Sequence, residues 1–203
     1  MDATAPDALP YTGDPEADAL LAAEPLALLI GFVLDQQVSV QKGFSGPLEL
    51  QRRIGTLDAA TIAAMDPADL EAAFRERPAL HRFPGNMAKR TQAFCAAVAE
   101  TYGSDASRIW TEAADGPGLE RRLLALPGIG EMKAKALLAI LGRRFGVELE
   151  GLDTVMPDYP TLADVDSAEA LAAYQEQKRA YKARLKTEGG SFDAGDIGAR
   201  KQR

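Results

Sequence analysis

The chain is poor in residues that tie folds together covalently or through metals. It has one cysteine, Cys95, and one histidine, His81, in 203 residues. A single cysteine excludes an intrachain disulfide and any cluster held by four thiolates. No metal or other cofactor is expected. Aromatic residues make up 6 % of the chain, and runs of β-branched residues are rare. That argues against sheets and for an all-α fold. The longest apolar stretch, Leu26–Leu34, falls far short of the roughly 20 residues that span a bilayer. The N-terminus has no basic start followed by an apolar run, so no signal peptide is read. A cytoplasmic protein with no membrane partner is expected. Cys95 reads as a small core residue, and His81, beside a Pro-Gly turn, as a surface one.

Positive charge is also missing from a whole region. Residues 1–41 contain no Lys or Arg but hold Asp2, Asp7, Asp14, Glu16, Asp18, Glu24 and Asp35. The net charge is −7, which on average disfavours a polyanionic partner. The average hides a local reversal. Residues 121–146 carry Arg121, Arg122, Lys133, Lys135, Arg143 and Arg144 against one acid, Glu131.

What is present is helical patterning with clear punctuation. Met1–Gly13 reads as a loose arm. Asp14-Pro15 starts a helix to about Ala23, and Pro25 starts a buried one to Leu34. Short helices are expected over Val40–Gly43 and Pro47–Ile54, then Leu57–Met65 and Pro67–Arg75. A long one follows over Asn86–Tyr102. Ser107–Thr111 reads as a helical turn with Trp110 packed inward, and Asp115–Gly118 as a loop. Val147–Pro160 reads as non-helical. Ser167 opens a last helix, about Ala168–Lys186, with Leu171, Tyr174, Tyr181 and Leu185 on one face.

The stretch Leu126–Gly146 has the most specific pattern, LPGIGEMKAKALLAILGRRFG. The helix before it places Leu119, Leu123, Leu124 and Leu126 together. Pro127 and Gly128 stop that helix. Gly130 precedes a second helix from about Glu131, with Met132, Ala136, Leu137, Ile140 and Leu141 on one side. A turn this lean in side chains exposes amide N–H groups at a helix start, which makes an anion site. An ordinary helix–helix turn has the same ingredients. The two glycines and the basic second helix favour phosphate.

A helix, a Leu-Pro-Gly-Ile-Gly turn and a basic helix resemble the helix-hairpin-helix DNA-binding element. The order of features from about residue 25 to residue 160 resembles the helix-hairpin-helix base-excision DNA glycosylase superfamily, which includes endonuclease III and 3-methyladenine glycosylase. Asp153-Thr154, downstream of the hairpin, matches the family's Asp-Thr, so the resemblance implies Asp153 as the catalytic carboxylate, with Asp158 and Asp164 as understudies. Leu34–Val40, LDQQVSV, resembles the family segment whose amide side chain fills the gap left by a flipped base; Gln37 matches best and Gln36 is its neighbour. Gly128, Ile129, Gly130, Lys133 and Lys135 are the implied DNA-binding residues of the hairpin.

These residue types suit the chemistry. Breaking an N-glycosidic bond builds positive charge on the sugar, and a carboxylate stabilises it and can orient or deprotonate water. The base must first leave the stack.

The chain departs from the family in three places. Val155 stands where a His is common, and Pro157-Asp158 replace a basic residue. The four cysteines of the iron–sulfur loop are absent. Met132 occupies the position of the amine nucleophile used by glycosylase-lyases, with Lys133 turned ~100° away.

The expectation is therefore an all-α, two-lobed helical DNA glycosylase fold with a helix-hairpin-helix motif. Residues 1–35 would form an N-terminal arm and helices of the second lobe. Residues 36–146 would form a helical barrel lobe with the hairpin. Residues 147–190 would add the catalytic-loop segment and C-terminal helix of the second lobe, and 191–203 a polar tail. The expected activity is monofunctional hydrolysis of a damaged or mispaired base from duplex DNA, without lyase activity, by a nucleoid-associated monomer. The alternative is a non-catalytic helix-hairpin-helix DNA-binding protein.

Overall fold

The structure, a computed structural model, describes residues 6–187. Over these residues the chain is helical and no strand occurs, so the all-α expectation holds. The polar tail lies outside the described residues, as do the side chains of Tyr181 and Leu185. No single helix among the described residues is long and apolar enough to cross a membrane.

Helix α1 (Pro15–Ala23) starts where the Asp14 carboxylate accepts from the amide of Glu16 at 2.9 Å. Helix α2 (Pro25–Leu34) is buried from Leu26 to Leu34. Helix α3 (Val40–Ile54) runs unbroken through Pro47, where the sequence reading had two pieces. Proline costs a helix its bond to the carbonyl four residues back. Here close packing on α2 holds the helix together: a Cβ on Gly31 would collide with the Phe44 ring, and one on Gly46 with the Leu34 side chain.

Helices α4 (Ala59–Ala64) and α5 (Pro67–Arg75) are capped by Asp58 and Asp66. Both pack on α6 (Pro84–Tyr102). The described part of the arm expected to be loose, from residue 6 on, is anchored instead. Leu9 and Tyr11 are fully buried. Asp18 accepts from the Tyr11 and Thr12 amides at 3.1 and 2.8 Å, and the Tyr11 hydroxyl donates to Leu162 O at 2.8 Å.

The second half is built around the hairpin. Helix α7 (Arg108–Thr111) buries Ile109, and Trp110, partly covered, packs against the core as the sequence predicts. Helix α8 (Gly116–Leu124) begins inside the stretch read as a loop, because the Asp115 carboxylate caps it. Helix α9 (Glu131–Arg143) is the second arm of the hairpin. Helix α10 (Leu152–Val155) is a further correction, a short turn of helix in the segment read as non-helical. It sits against α8 so closely that a Cβ on Gly116 would collide with the Leu152 backbone. A 3₁₀ turn (Leu162–Asp164) packs on α9, and α11 (Ala168–Thr187) packs on that turn. Leu124 and Met132 do not join the apolar faces assigned to them. They are 41 % and 49 % exposed.

Candidate functional site

The hairpin turn is open to solvent on one side and anchored on the other. Leu126 and Ile129 are buried, and the Ile129 amide donates to Leu126 O at 3.2 Å. Ile129 therefore anchors the turn. Gly128 has φ +86°, the left-handed region that favours glycine. Gly130 is extended (φ −92°, ψ 178°), and a Cβ at either glycine would meet nothing within 4 Å. As the N-cap of α9, Gly130 provides no side chain to bond the first-turn amides. Those amides, facing open space at a helix start, suit an anion.

The basic residues around the hairpin are mostly engaged within the protein. Lys135 Nζ pairs with Glu120 at 2.7 Å and donates to Val155 O at 2.7 Å, so it ties α9 to α8 and α10. Arg143 binds Asp164 at 2.8 Å and Pro157 O at 3.1 Å. Arg122 donates to Arg108 O at 2.9 Å. Arg121 is exposed, and its guanidinium makes no ion pair or hydrogen bond among the described residues.

Between α2 and α3 the chain makes two unusual steps. Gln36 N donates to Leu34 O at 2.7 Å across Asp35, whose φ −71° and ψ 69° describe an inverse γ-turn. Gln37 follows with φ +55° and an exposed side chain. Gln36 is restrained, since its carbonyl meets His81 Nε2 at 2.9 Å and its Oε1 accepts from Arg90 at 2.6 Å. His81, expected at the surface, is 1 % exposed. Its Nδ1 accepts from the Phe83 amide at 3.0 Å, so Nε2 carries the proton and donates to Gln36 O. Burial lowers its pKa. The partners lie 45 residues apart, and no local pattern marks them.

The turn and the start of α9 meet at a cavity of about 520 Å³. Asp35, Gln37 and Val40 line it from one side, and Met132, Lys133 and Ala136 from another. Tyr159–Leu162 and the α11 residues Tyr174, Gln175, Lys178 and Arg179 complete the wall. Gln41 and Gln175 exchange amide hydrogen bonds at 2.7 and 3.4 Å, which braces α11 against α3. Lys133 points into this space. Burial pulls its ammonium from 10.5 down to about 8, opposed by the Asp35 carboxylate and assisted by Arg90 and Lys178. Its Nζ donates to Gly128 O at 3.3 Å.

The carboxylates distribute unevenly. Asp153 is exposed in the first turn of α10 and does not line the cavity. Asp158 is exposed beside Tyr159, which does. Asp164 is taken up by Arg143 and by the Thr161 amide at 2.8 Å. Asp35 lines the cavity directly, and the sequence reading did not select it. Its one signal was a charge ending a wholly apolar helix beside two glutamines. Comparisons of the chain with protein-family models, with curated proteins and with solved structures gave no match.

Proposed function

We propose that the protein is a DNA glycosylase of base excision repair, hydrolysing the N-glycosidic bond of a damaged or mispaired base in duplex DNA. One observation carries this reading: Gln37 and the start of the second hairpin helix, at Met132 and Lys133, border a single cavity. The sequence places these parts almost a hundred residues apart, yet the proposed chemistry needs them together. The hairpin amides at Gly128 and Gly130 hold a phosphate. Gln37 enters the gap beside the orphaned partner base. The cavity receives the extruded base, and its volume lies within the roughly 300–1,000 Å³ of small-molecule sites.

Asp153 is the proposed carboxylate for the sugar, carried on α10, which packs on both arms of the hairpin. The reading includes a two-lobed arrangement, supported by the packing of α1–α6 among themselves and of α8–α10 around the hairpin. Met132 offers no amine, so the product is an abasic site without strand cleavage. The protein acts as a monomer on nucleoid DNA in the cytoplasm.

Duplexes bearing uracil, alkylated purines, oxidised purines or mismatches, incubated with the protein and then cleaved with alkali, test this. Base release from one class is expected. DNA binding without release from any of them would overturn it in favour of a non-catalytic helix-hairpin-helix DNA-binding protein, the reading that the position of Asp153 outside the cavity wall favours.

A further inference from the structure

The cavity wall carries one carboxylate, Asp35, against three cationic side chains, Lys133, Lys178 and Arg179. Asp35 is half-buried, and its carboxylate makes no hydrogen bond or ion pair among the described residues. Lys133, from the other wall, uses a single donor on Gly128 O and keeps two. A carboxylate can only accept, and an ammonium can only donate. Two such groups facing one space suit a ligand edge that offers an N–H beside a C=O. Ring and apolar side chains make up part of the surrounding wall. Phe32, Tyr159 and Pro160 line the same cavity. Aromatic surfaces of this kind favour a planar ring over an aliphatic zwitterion, which would also satisfy the two charges.

We propose that this cavity selects bases with a lactam edge, a ring N–H next to a carbonyl, with Asp35 accepting from the N–H and Lys133 donating to the carbonyl oxygen. Adenine and cytosine have an exocyclic amine where a lactam has its carbonyl, and their adjacent ring nitrogen is an acceptor. With the base held in one orientation by its sugar, that pattern opposes both protein groups, so the site rejects these two normal bases while accepting their deaminated forms. A site whose polar groups are cut off from water by the bound ligand discriminates strongly because a mismatched ligand leaves them unpaired. Burial of Lys133 strengthens this effect.

The proposal rests on reading the cavity as a base pocket, and the source of the base is either a nucleotide in DNA or the free nucleobase. Calorimetric titration of the intact protein with hypoxanthine and with 1-methylhypoxanthine tests it. Methylation removes the N–H and leaves the carbonyl. Wild type is expected to bind hypoxanthine at least about tenfold tighter than the methylated form. Asp35→Leu should lose that preference, while Lys133→Met should weaken both ligands and keep the preference. Equal affinity for the two ligands, or no binding of either, overturns the proposal. So does an unchanged preference in a folded Asp35→Leu variant. A duplex arm separates this inference from the proposed activity. Base release from alkylated adenine but not from hypoxanthine in duplex overturns the lactam proposal and leaves the glycosylase. Free-base discrimination without release from any duplex supports the lactam site and removes the glycosylase.

Discussion

His81 Nε2 lies 2.9 Å from the carbonyl oxygen of Gln36, 45 residues earlier in the chain. This bond sets the backbone from which the next residue, Gln37, projects. It works only while Nδ1 is free to accept from Phe83. Burial lowers the His81 pKa below 6.5, with Arg82 and Lys42 adding to the effect. The unfolded chain therefore takes up a proton before the folded one does. Stability from this group is present above about pH 6.5 and is lost as pH falls through the lower folded value. Thermal unfolding should show this loss, and His81→Leu should flatten it while costing about 1–3 kcal/mol for the two partners left unpaired. A wild-type profile that is flat below pH 6.5 would show that His81 does not hold the turn.

Lys133 gives the complementary case. Its ammonium is disfavoured by burial, so its folded pKa, about 8, lies under the ordinary 10.5. The folded state is penalised at neutral pH, and the penalty is relieved as pH rises from about 8 to 10.5. Lys133→Met should be more stable than wild type near neutrality, with the difference shrinking across that window. Chemical denaturation of both proteins at several pH values checks the sign. A variant less stable at neutral pH would mean that Lys133 is held by a favourable partner.

Where the chain carries its own local signals, the fold was legible. α1 and α5 begin at Asp-Pro pairs whose carboxylates accept from first-turn amides. The hairpin was legible because glycine at +86° and a proline before it leave the backbone few choices. α3 was misread at Pro47 because its continuity depends on Gly31 and Gly46 letting α2 approach, a contact between segments that neither shows alone. The site followed the same division. Gln37 and the hairpin were visible as motifs. Asp35 facing Lys133, and the internal pairing of Lys135 with Glu120, depend on how distant helices meet.

That pairing changes how the hairpin should be tested. Lys135→Glu would set two carboxylates together at Glu120 and release Val155 O, so it should destabilise α10 as well as alter DNA contact. Gly130→Pro removes that one amide N–H from the turn, at a position where a Cβ meets no neighbour within 4 Å. It should weaken duplex binding at about 50 mM salt, where phosphate contacts are strong, with the fold intact by circular dichroism. Gly128→Ala should instead cost about 1 kcal/mol of stability, since alanine resists a positive φ. Unchanged duplex affinity in folded Gly130→Pro would remove the hairpin from the interface.

Gln37 pairs exposure with a backbone conformation that glutamine adopts at a cost. Gln37→Gly should raise stability by about 1 kcal/mol by relieving the left-handed φ. The same change should reduce affinity for a duplex bearing an abasic-site analogue more than for intact duplex, because an inserted amide acts only after the base has left the stack. Opposite movement of stability and abasic-site affinity is what a residue strained for function produces. Equal loss on both duplexes would reduce Gln37 to a general surface contact.

Asp153→Asn tests the chemistry. Asparagine keeps the size and much of the hydrogen bonding but removes the charge that would face an oxocarbenium-like sugar. Asp153 is exposed and makes no hydrogen bond or ion pair through its carboxylate among the described residues, so its replacement should leave the fold unchanged. Single-turnover base release should fall by about 10²–10⁴-fold. Duplex binding should hold or tighten, since a negative charge near the phosphates is gone. Asp158→Asn is the paired measurement, because Asp158 adjoins the cavity-lining Tyr159 whereas Asp153 lies back on α10. A wild-type rate in Asp153→Asn with a dead Asp158→Asn would move the catalytic carboxylate to the cavity rim. Full activity in both would leave Asp35 as the carboxylate nearest the proposed base pocket, and the loss of release in Asp35→Asn would then fall on the chemical step as well as on binding.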